Sequence, residues 1–218
     1  MDLLEAQRRR GGGRTIFTSS GGTVYGKLQQ VPVPETHPLQ PITAYGAGKV
    51  TAEVYFGLYR TLHGLDCRIA RIANPYGAGQ NLSRGLGAIT TFCHKALQDE
   101  PITIWGDGEI VRDYIYVGDV ASALAALALA EPSPTFVFNI GSGVGHSLNE
   151  IVREIEGHLN RKLEVTRTAE RSFDVPRSIL AIERAGRVLD WRPKMKFDKG
   201  IHRTLDDLAA RASLSRMD

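Results

Sequence analysis

Short β-branched runs alternate with helical segments along almost the whole chain, and this alternation constrains the fold more than any other feature. Strands are predicted at residues 14–18, 67–72, 101–105 and 136–140, and helices at 2–10, 44–63, 88–98, 117–130 and 148–159. Parallel strands need a crossover between them, which is usually a helix. The pattern therefore predicts an α/β fold with a largely parallel sheet.

Capping residues mark the ends of the predicted helices. Thr43 is a candidate N-cap for helix 44–63, and Gly64 follows its last residue. Ser147, with Glu150 three residues later, fits a capping box that opens helix 148–159. These signals predict the helix boundaries from local sequence.

Tyr45 and Lys49 stand four residues apart near the start of helix 44–63. Residues at i and i+4 share one helix face, so the phenol and the ammonium can point into the same cleft. An ammonium beside a phenol favours the phenolate, which makes the tyrosine a usable proton-transfer group. The spacing by itself also fits an ordinary solvated helix face.

The string Ser19-Ser20-Gly21-Gly22-Thr23-Val24-Tyr25-Gly26 follows the predicted strand 14–18. Its glycine pair lets the backbone turn sharply. Hydroxyls at the carboxyl end of a parallel strand face the crevice where open α/β sheets bind ligands. The string therefore strengthens the catalytic interpretation of Tyr45 and Lys49.

Together, SSGGTVYG and AYGAGK resemble the extended short-chain dehydrogenase/reductase family, and within it the NAD-dependent nucleotide-sugar epimerases and dehydratases. The resemblance covers nearly the whole chain and implies a Rossmann-like, doubly wound parallel sheet with a smaller C-terminal α/β substrate-binding region. Residues 1–80 would belong to the NAD-binding domain and residues 81–218 mainly to the nucleotide-sugar-binding region, with 117–142 returning to the first sheet.

In that family a Ser or Thr, a Tyr and a Lys act together on a sugar hydroxyl beside a nicotinamide ring. The resemblance gives these roles to Ser20, Tyr45 and Lys49, and places Tyr45 and Lys49 also against the cofactor NAD. The family often has its catalytic hydroxyl three residues before the Val, where this chain has Gly21. Ser20 takes the role if Gly21-Gly22 holds a one-residue insertion, and Thr23 is the second candidate.

The resemblance also implies residues that hold a UDP-sugar. They are Asn74 and Arg112 at the diphosphate, Thr103 and Trp105 at the nucleobase, Arg171 and Asp174 at phosphate and ribose, and Ser178 beside the sugar C2 substituent. An arginine matches phosphate geometry through bidentate charged hydrogen bonds. Ordinary alternatives are a turn-forming Asn74, a core Trp105, an exposed Ser178 and a surface ion pair of Arg171 and Asp174.

The glycine-rich start of a dinucleotide-binding domain does not open this sequence. The first residues resemble the family from the helix before its fourth or fifth strand, so roughly a hundred residues with a GxxGxxG segment would precede them. Residues 139–145 offer GxGxG spacing after a strand, for which a structural turn is the preferred interpretation. We therefore expect the chain to bind UDP or a UDP-sugar, with little or no NAD⁺ binding or turnover.

Composition narrows the classes of partner. The net charge of +3 is scattered, with no basic stripe interleaved with aromatics, so nucleic acid is not an expected partner. Cys67 and Cys93 are too few for a disulfide framework and belong to no metal-spaced cluster. No apolar run approaches membrane-spanning length, so we expect a cytoplasmic protein without membrane contact. The resemblance implies a homodimer for a full-length member.

The resemblance implies two main functions, and another nucleotide-sugar dehydratase or reductase of the same family is a further alternative. The first is NAD-dependent epimerisation at C4 of a UDP-hexose, of the UDP-glucose 4-epimerase kind. The resemblance implies that a 4,6-dehydratase would carry an Asp-Glu pair beside its catalytic Thr, where this chain has Gly22 and Thr23. The second is a catalytically silent remnant that only binds nucleotide sugars. Coding DNA upstream of Met1 would separate them, because an in-frame GxxGxxG segment favours the enzyme.

Overall fold

The computed structural model describes residues 1–81, 87–169 and 175–214, with only the backbone described for the last residue. The helices are α1 (Asp2–Arg9), α2 (Ala44–His63), α3 (Ala88–Leu97), α4 (Val117–Leu129), α5 (Leu148–Leu159), α6 (Glu183–Leu189) and α7 (Phe197–Leu214). The strands are β1 (Arg14–Ser20), β2 (Asp66–Ile72), β3 (Asn74–Tyr76), β4 (Ile102–Trp105), β5 (Val111–Tyr116), β6 (Val137–Ile140), β7 (Gly145–Ser147), β8 (Val165–Thr168) and β9 (Arg177–Ser178).

The first sheet has the strand order β1-β2-β6, and all of its strands are parallel. In register, Ser20 lies beside Ile72, and Ile72 lies beside Ile140. The carboxyl ends of the three strands therefore meet at one edge of the sheet. This edge is where open parallel sheets place their ligands.

Helices cover both faces of this sheet. On one face Phe56 and Tyr59 of α2 pack with Cys67 and Ile69 of β2. On the other face a larger core joins α4 to the remaining side chains of the strands, among them Ala70, Ala123, Leu127, Phe138 and Ile140. Because it is covered on both faces, β2 is buried over Cys67–Arg71 rather than at alternate residues.

A second group of strands centres on β5. It pairs in parallel with β3 and β9 and antiparallel with β7, while β4 and β8 form a separate parallel pair. Helices α3, α5 and α7 pack around these strands. Their common core includes Ile89, Phe92, Ile102, Ile104, Ile151, Ile155, Ile201 and Leu205. The division at residue 80 remains a prediction.

The predicted α/β fold with a largely parallel sheet is confirmed. Helix 44–63 has the predicted bounds; Thr43 Oγ1 accepts from the Gly46 amide, and Gly64 has φ +65°. Both hydrogen bonds of the Ser147–Glu150 capping box are present. Local patterns did not predict β5, whose charged residues interrupt its apolar run. Within the described residues, no helix is both long and apolar enough to cross a membrane.

Candidate active site

Tyr45 and Lys49 lie together against the carboxyl end of β1. Lys49 Nζ donates a hydrogen bond to the Thr18 carbonyl at 2.8 Å. The same ammonium lies 5.5 Å from the centroid of the Tyr45 ring and 4.9 Å from that of the Phe17 ring. Tyr45 is 61% exposed, so its phenol is accessible to a ligand. The structure therefore brings the predicted pair together at the edge of the first sheet.

The first turn of α2 is seated on the turn that follows β1. A Cβ built on Gly46 would lie 2.6 Å from the Thr23 carbonyl oxygen and 3.0 Å from Pro41 Cβ. Only a glycine permits so close a backbone approach. Tyr45 is thus held immediately beside the backbone of Thr23.

A cleft of about 250 Å³, here called the Thr23 cleft, opens beside this turn. Its lining includes Gly22, Thr23, Thr43, Asn74, Arg112 and Ser178. Thr23 Oγ1 is buried and has no hydrogen-bond partner among the described residues. Buried hydroxyls without a partner are uncommon, and such a group is ready to bond an atom that enters the cleft.

Ser20 has a different environment from Thr23. Ser19, which precedes Ser20 on β1, is buried, and its hydroxyl donates a hydrogen bond to Glu53 of α2. Because side chains alternate along a strand, Ser20 belongs to the sheet face opposite α2. Thr23, in contrast, lies next to the helix that carries Tyr45.

Three of the predicted substrate residues line the Thr23 cleft. Asn74 Nδ2 donates to the Asp113 carbonyl at 2.8 Å, and Arg112 Nη1 donates to the Val175 carbonyl at 2.5 Å. Ser178 lies beside Arg112, since β9 pairs with β5 in that register. Among the residues that the structure describes, the cleft thus combines a guanidinium, a carboxamide and hydroxyl groups, which together suit a phosphorylated sugar.

Thr103 and Trp105 line a separate cleft of about 420 Å³, here called the Trp105 cleft. Phe92, Lys95 and Leu148 contribute to the same wall. Trp105 is 43% exposed, so it is a surface rather than a core tryptophan. Thr91 also lines this cleft, and its Oγ1 is buried without a hydrogen-bond partner in the described part of the chain. Arg171 and Asp174 lie outside the described residues.

The carboxylate of Asp113 binds the glycine-rich turn that follows β6. Asp113 Oδ1 accepts hydrogen bonds from the Ser142 amide and hydroxyl, and Oδ2 accepts from the amides of Gly143 and Leu180. Burial raises the pKa of the Asp113 carboxyl, and these hydrogen bonds oppose that rise. The amides of this turn that could bind a pyrophosphate therefore already donate to Asp113, as expected of a structural turn.

Several polar residues near the site were not among the predicted site residues. Glu53 of α2 is buried, Arg71 pairs with it, and Tyr25 contacts Arg71. A sequence signal existed for Glu53, because it follows Lys49 by four residues on the same helix face. No local signal pairs Glu53 with Arg71, since they are 18 residues apart on different elements.

A parallel sheet with an adjacent Tyr-Lys helix at its carboxyl edge defines a Rossmann-like protein of the short-chain dehydrogenase/reductase type. Comparison with known families agrees: the profile of the NAD dependent epimerase/dehydratase family matches residues 1–141. The chain belongs to that family.

Two curated relatives and one solved structure illustrate the similarity. The chain is 37% identical over 204 residues to a UDP-glucose 4-epimerase of Mycolicibacterium smegmatis, covering 94% of this chain and 65% of the relative. It is 37% identical over 196 residues to a dTDP-4-dehydro-6-deoxyglucose reductase of Escherichia coli, covering 89% and 61%. The crystal structure of a Thermotoga maritima UDP-glucose 4-epimerase with UDP-glucose superposes with a TM-score of 0.90 at 34% identity, covering 97% of this chain and 68% of that one.

The chain thus spans about two thirds of the length of these relatives. The relatives carry out different reactions on nucleotide sugars. Family membership alone therefore does not identify a reaction for this chain, which has to be argued from the site.

Proposed function

We propose that the protein is an NAD-dependent epimerase that acts at C4 of a UDP-hexose. The observation that carries the proposal is the Tyr45–Lys49 pair, which lies against the end of β1 beside a cleft containing Arg112 and Asn74. A proton-transfer group beside a phosphate-binding arginine suits a nucleotide sugar. The similarity to two UDP-glucose 4-epimerases supports this substrate class.

In this proposal the phenolate of Tyr45 takes the proton of the sugar 4-hydroxyl and later returns it. Lys49 stabilises the phenolate and binds the nicotinamide ribose. NAD, when bound, supplies the acceptor and donor of hydride at C4. The exposed side chain of Tyr45 is accessible to the nicotinamide end of the cofactor, which fits this role. The turn at 141–143 does not fit its phosphates, because Asp113 already binds that turn.

For the substrate, Arg112 and Asn74 bind the diphosphate in the Thr23 cleft. Thr103 and Trp105 hold the nucleobase in the Trp105 cleft, where the indole offers a stacking surface. Ser178 borders the sugar C2 substituent and is small enough for a 2-acetamido group. Arg171 and Asp174 complete the phosphate and ribose contacts in the proposal.

We assign the catalytic hydroxyl to Thr23 in preference to Ser20. Thr23 lines the cleft, its buried Oγ1 has no hydrogen-bond partner among the described residues, and its backbone touches the first turn of α2. Thr23→Val should lower turnover without lowering stability, because no hydrogen bond of the described residues is lost. Ser20→Ala is the matched variant, and a larger loss of turnover there would reverse the assignment.

The deciding experiment is an interconversion assay with UDP-glucose, UDP-galactose and their 2-acetamido forms in the presence of NAD⁺. Where the chain binds NAD⁺, we expect 4-epimers as products, and a loss of about 10²- to 10⁴-fold in Tyr45→Phe, the usual contribution of a positioned acid–base group. A 4-keto-6-deoxy product would reject epimerisation in favour of dehydration.

A catalytically silent binder of nucleotide sugars is the second candidate. It is favoured by the turn at Ser142, because the amides of this glycine-rich turn already donate to Asp113 and are not available to the NAD pyrophosphate. Calorimetric titration separates the two functions. UDP binding without NAD⁺ binding or turnover supports the silent binder, whereas tight NAD⁺ binding rejects it.

A further inference from the structure

A buried ion pair lies directly behind the candidate active site. Glu53 and Arg71 are only 6% and 4% exposed. Arg71 Nη2 donates to Glu53 Oε2 at 2.6 Å, and Arg71 Nε contacts both carboxylate oxygens at 3.1 Å. Buried charges are tolerated only where hydrogen bonds satisfy them closely. This pair therefore has one well-defined geometry.

On its acidic side the pair fixes α2. Glu53 follows Lys49 by four residues and Tyr45 by eight, so the three side chains share one face of the helix. The Glu53 carboxylate also accepts from Ser19, while Lys49 donates to the adjacent Thr18 carbonyl. Consecutive residues of β1 thus hold consecutive turns of α2. These contacts fix the position of α2 along β1 and the rotation of α2 about its own axis.

On its basic side the pair fixes the loop after β1. Arg71 Nη1 donates to the Tyr25 hydroxyl at 3.0 Å and to the Glu35 carbonyl at 3.1 Å. The Tyr25 hydroxyl in turn donates to Asn139 Oδ1 at 2.6 Å. Tyr25 is 1% exposed and follows Thr23 by two residues. One guanidinium therefore binds both the helix with Tyr45 and the loop with Thr23.

We propose that Glu53 and Arg71 are positioning residues that hold the Tyr45–Lys49 face of α2 and the Thr23 loop in one mutual arrangement. The inference rests on the proposed function, in which the Tyr45 phenol and the Thr23 hydroxyl reach the same sugar oxygen. Proton transfer requires hydrogen-bond reach, and displacement by about 1 Å can cost 10²-fold in rate. Neither positioning residue needs to touch the ligand.

The test uses nuclear magnetic resonance of the chain with ¹³C-labelled tyrosine, in which the Tyr45 signal is assigned with Tyr45→Phe. Arg71→Lys keeps the charge but lacks the planar fork that reaches Glu53 and Tyr25 together. We expect the Tyr45 and Tyr25 ring signals to shift in this variant. The Tyr76 and Tyr114 signals, which belong to the core around β5, should stay in place.

Arg68→Met is the matched control, since Arg68 is a buried arginine of the same strand on the opposite sheet face. Its guanidinium donates to the carbonyls of Leu127 in the last turn of α4 and of Ala130 just after it, rather than to α2. It should lower the unfolding temperature and leave the Tyr45 signal unchanged. The double variant Glu53→Met with Arg71→Met removes both charges, leaves neither unpaired, and should still shift Tyr45. It provides the same comparison if Arg71→Lys does not fold.

The inference is overturned if Tyr45 keeps its native signal in the folded positioning variants, or if Arg68→Met shifts it equally. Where turnover is measurable, a fall in kcat at unchanged KM supports positioning, and unchanged kcat overturns it. Calorimetry with UDP on the native chain tests the proposed function separately. Absence of UDP binding would reject the proposed function, whereas the Tyr45 signal would still report whether the ion pair sets the position of α2.

Discussion

The Asp113 carboxylate holds the turn at Ser142 through two hydrogen bonds to one residue. Asp113 Oδ1 accepts from the Ser142 amide at 2.8 Å and from its hydroxyl at 2.6 Å. Asp113 precedes Tyr114 on β5, whereas Ser142 follows β6 of the first sheet. The contact therefore joins the two groups of strands, and it places the carboxylate where a glycine-rich turn would otherwise bind a ligand anion.

Asp113→Asn should lower the free energy of unfolding by about 2–3 kcal/mol, because an amide NH₂ would then face backbone donors in a buried site. Urea denaturation measures the change. Ser142→Ala is the milder comparison, since it removes one donor and leaves the Ser142 amide bonded. It should cost about 1 kcal/mol. Equal effects of the two substitutions would contradict the central role of the carboxylate.

Two glycines of α2 should respond oppositely to alanine. Gly46→Ala places a Cβ against the Thr23 carbonyl, a backbone atom that cannot rotate away, and should destabilise the fold by about 1–3 kcal/mol. Gly48→Ala meets no atom within 4 Å and should stabilise it by about 0.5–1 kcal/mol. Thermal unfolding of both variants checks the prediction, which fails if Gly46→Ala is tolerated as well as Gly48→Ala.

Arg112→Ala should weaken UDP binding by about 1.5–3 kcal/mol, the scale of a hydrogen bond to a charged group. Arg112 lines the Thr23 cleft beside Asn74. Isothermal calorimetry with UDP measures the loss. Tyr45→Phe serves as the control, because its proposed role is at the sugar C4, so its UDP affinity should match the native value. Full UDP affinity in Arg112→Ala would remove this arginine from the diphosphate site.

His146 should make stability fall as the solution is acidified. Its ring stacks on Phe197 with centroids 3.5 Å apart, and burial lowers the His146 pKa against the opposing effect of Glu150. The unfolded chain then binds the proton more readily than the folded chain. The stability that neutral His146 contributes is therefore fully present above pH 6.5, the ordinary pKa of histidine. It is lost as the pH falls toward the lower pKa of His146 in the folded chain.

Urea denaturation of the native chain and of His146→Asn across this pH range checks the slope. The native protein should lose stability below pH 6.5 relative to the variant, which has no imidazole to protonate there. Parallel curves would show that His146 does not contribute to the pH dependence.

Much of the architecture could be predicted because its determinants are local. Thr43 and Gly64 cap α2 within a few residues of each end, and Ser147 with Glu150 opens α5. The Tyr45–Lys49 pairing follows from helical geometry alone. Strand β5 escaped prediction because Asp113 places a buried carboxylate in a strand, where the distant turn at Ser142 and the Leu180 amide satisfy it.

The sequence by itself determined the alternation of strands and helices, the limits of α2 and the shared face of Tyr45 and Lys49, since each depends on residues a few positions apart. The tertiary structure decided the environments of Thr23 and Ser20, the occupant of the turn after β6, and the partner of Glu53. Those outcomes depend on contacts across 18 to 114 residues, from Glu53–Arg71 to Tyr25–Asn139. Burial is the physical reason: desolvated charges and hydroxyls must find partners, and only the folded chain brings those partners within reach.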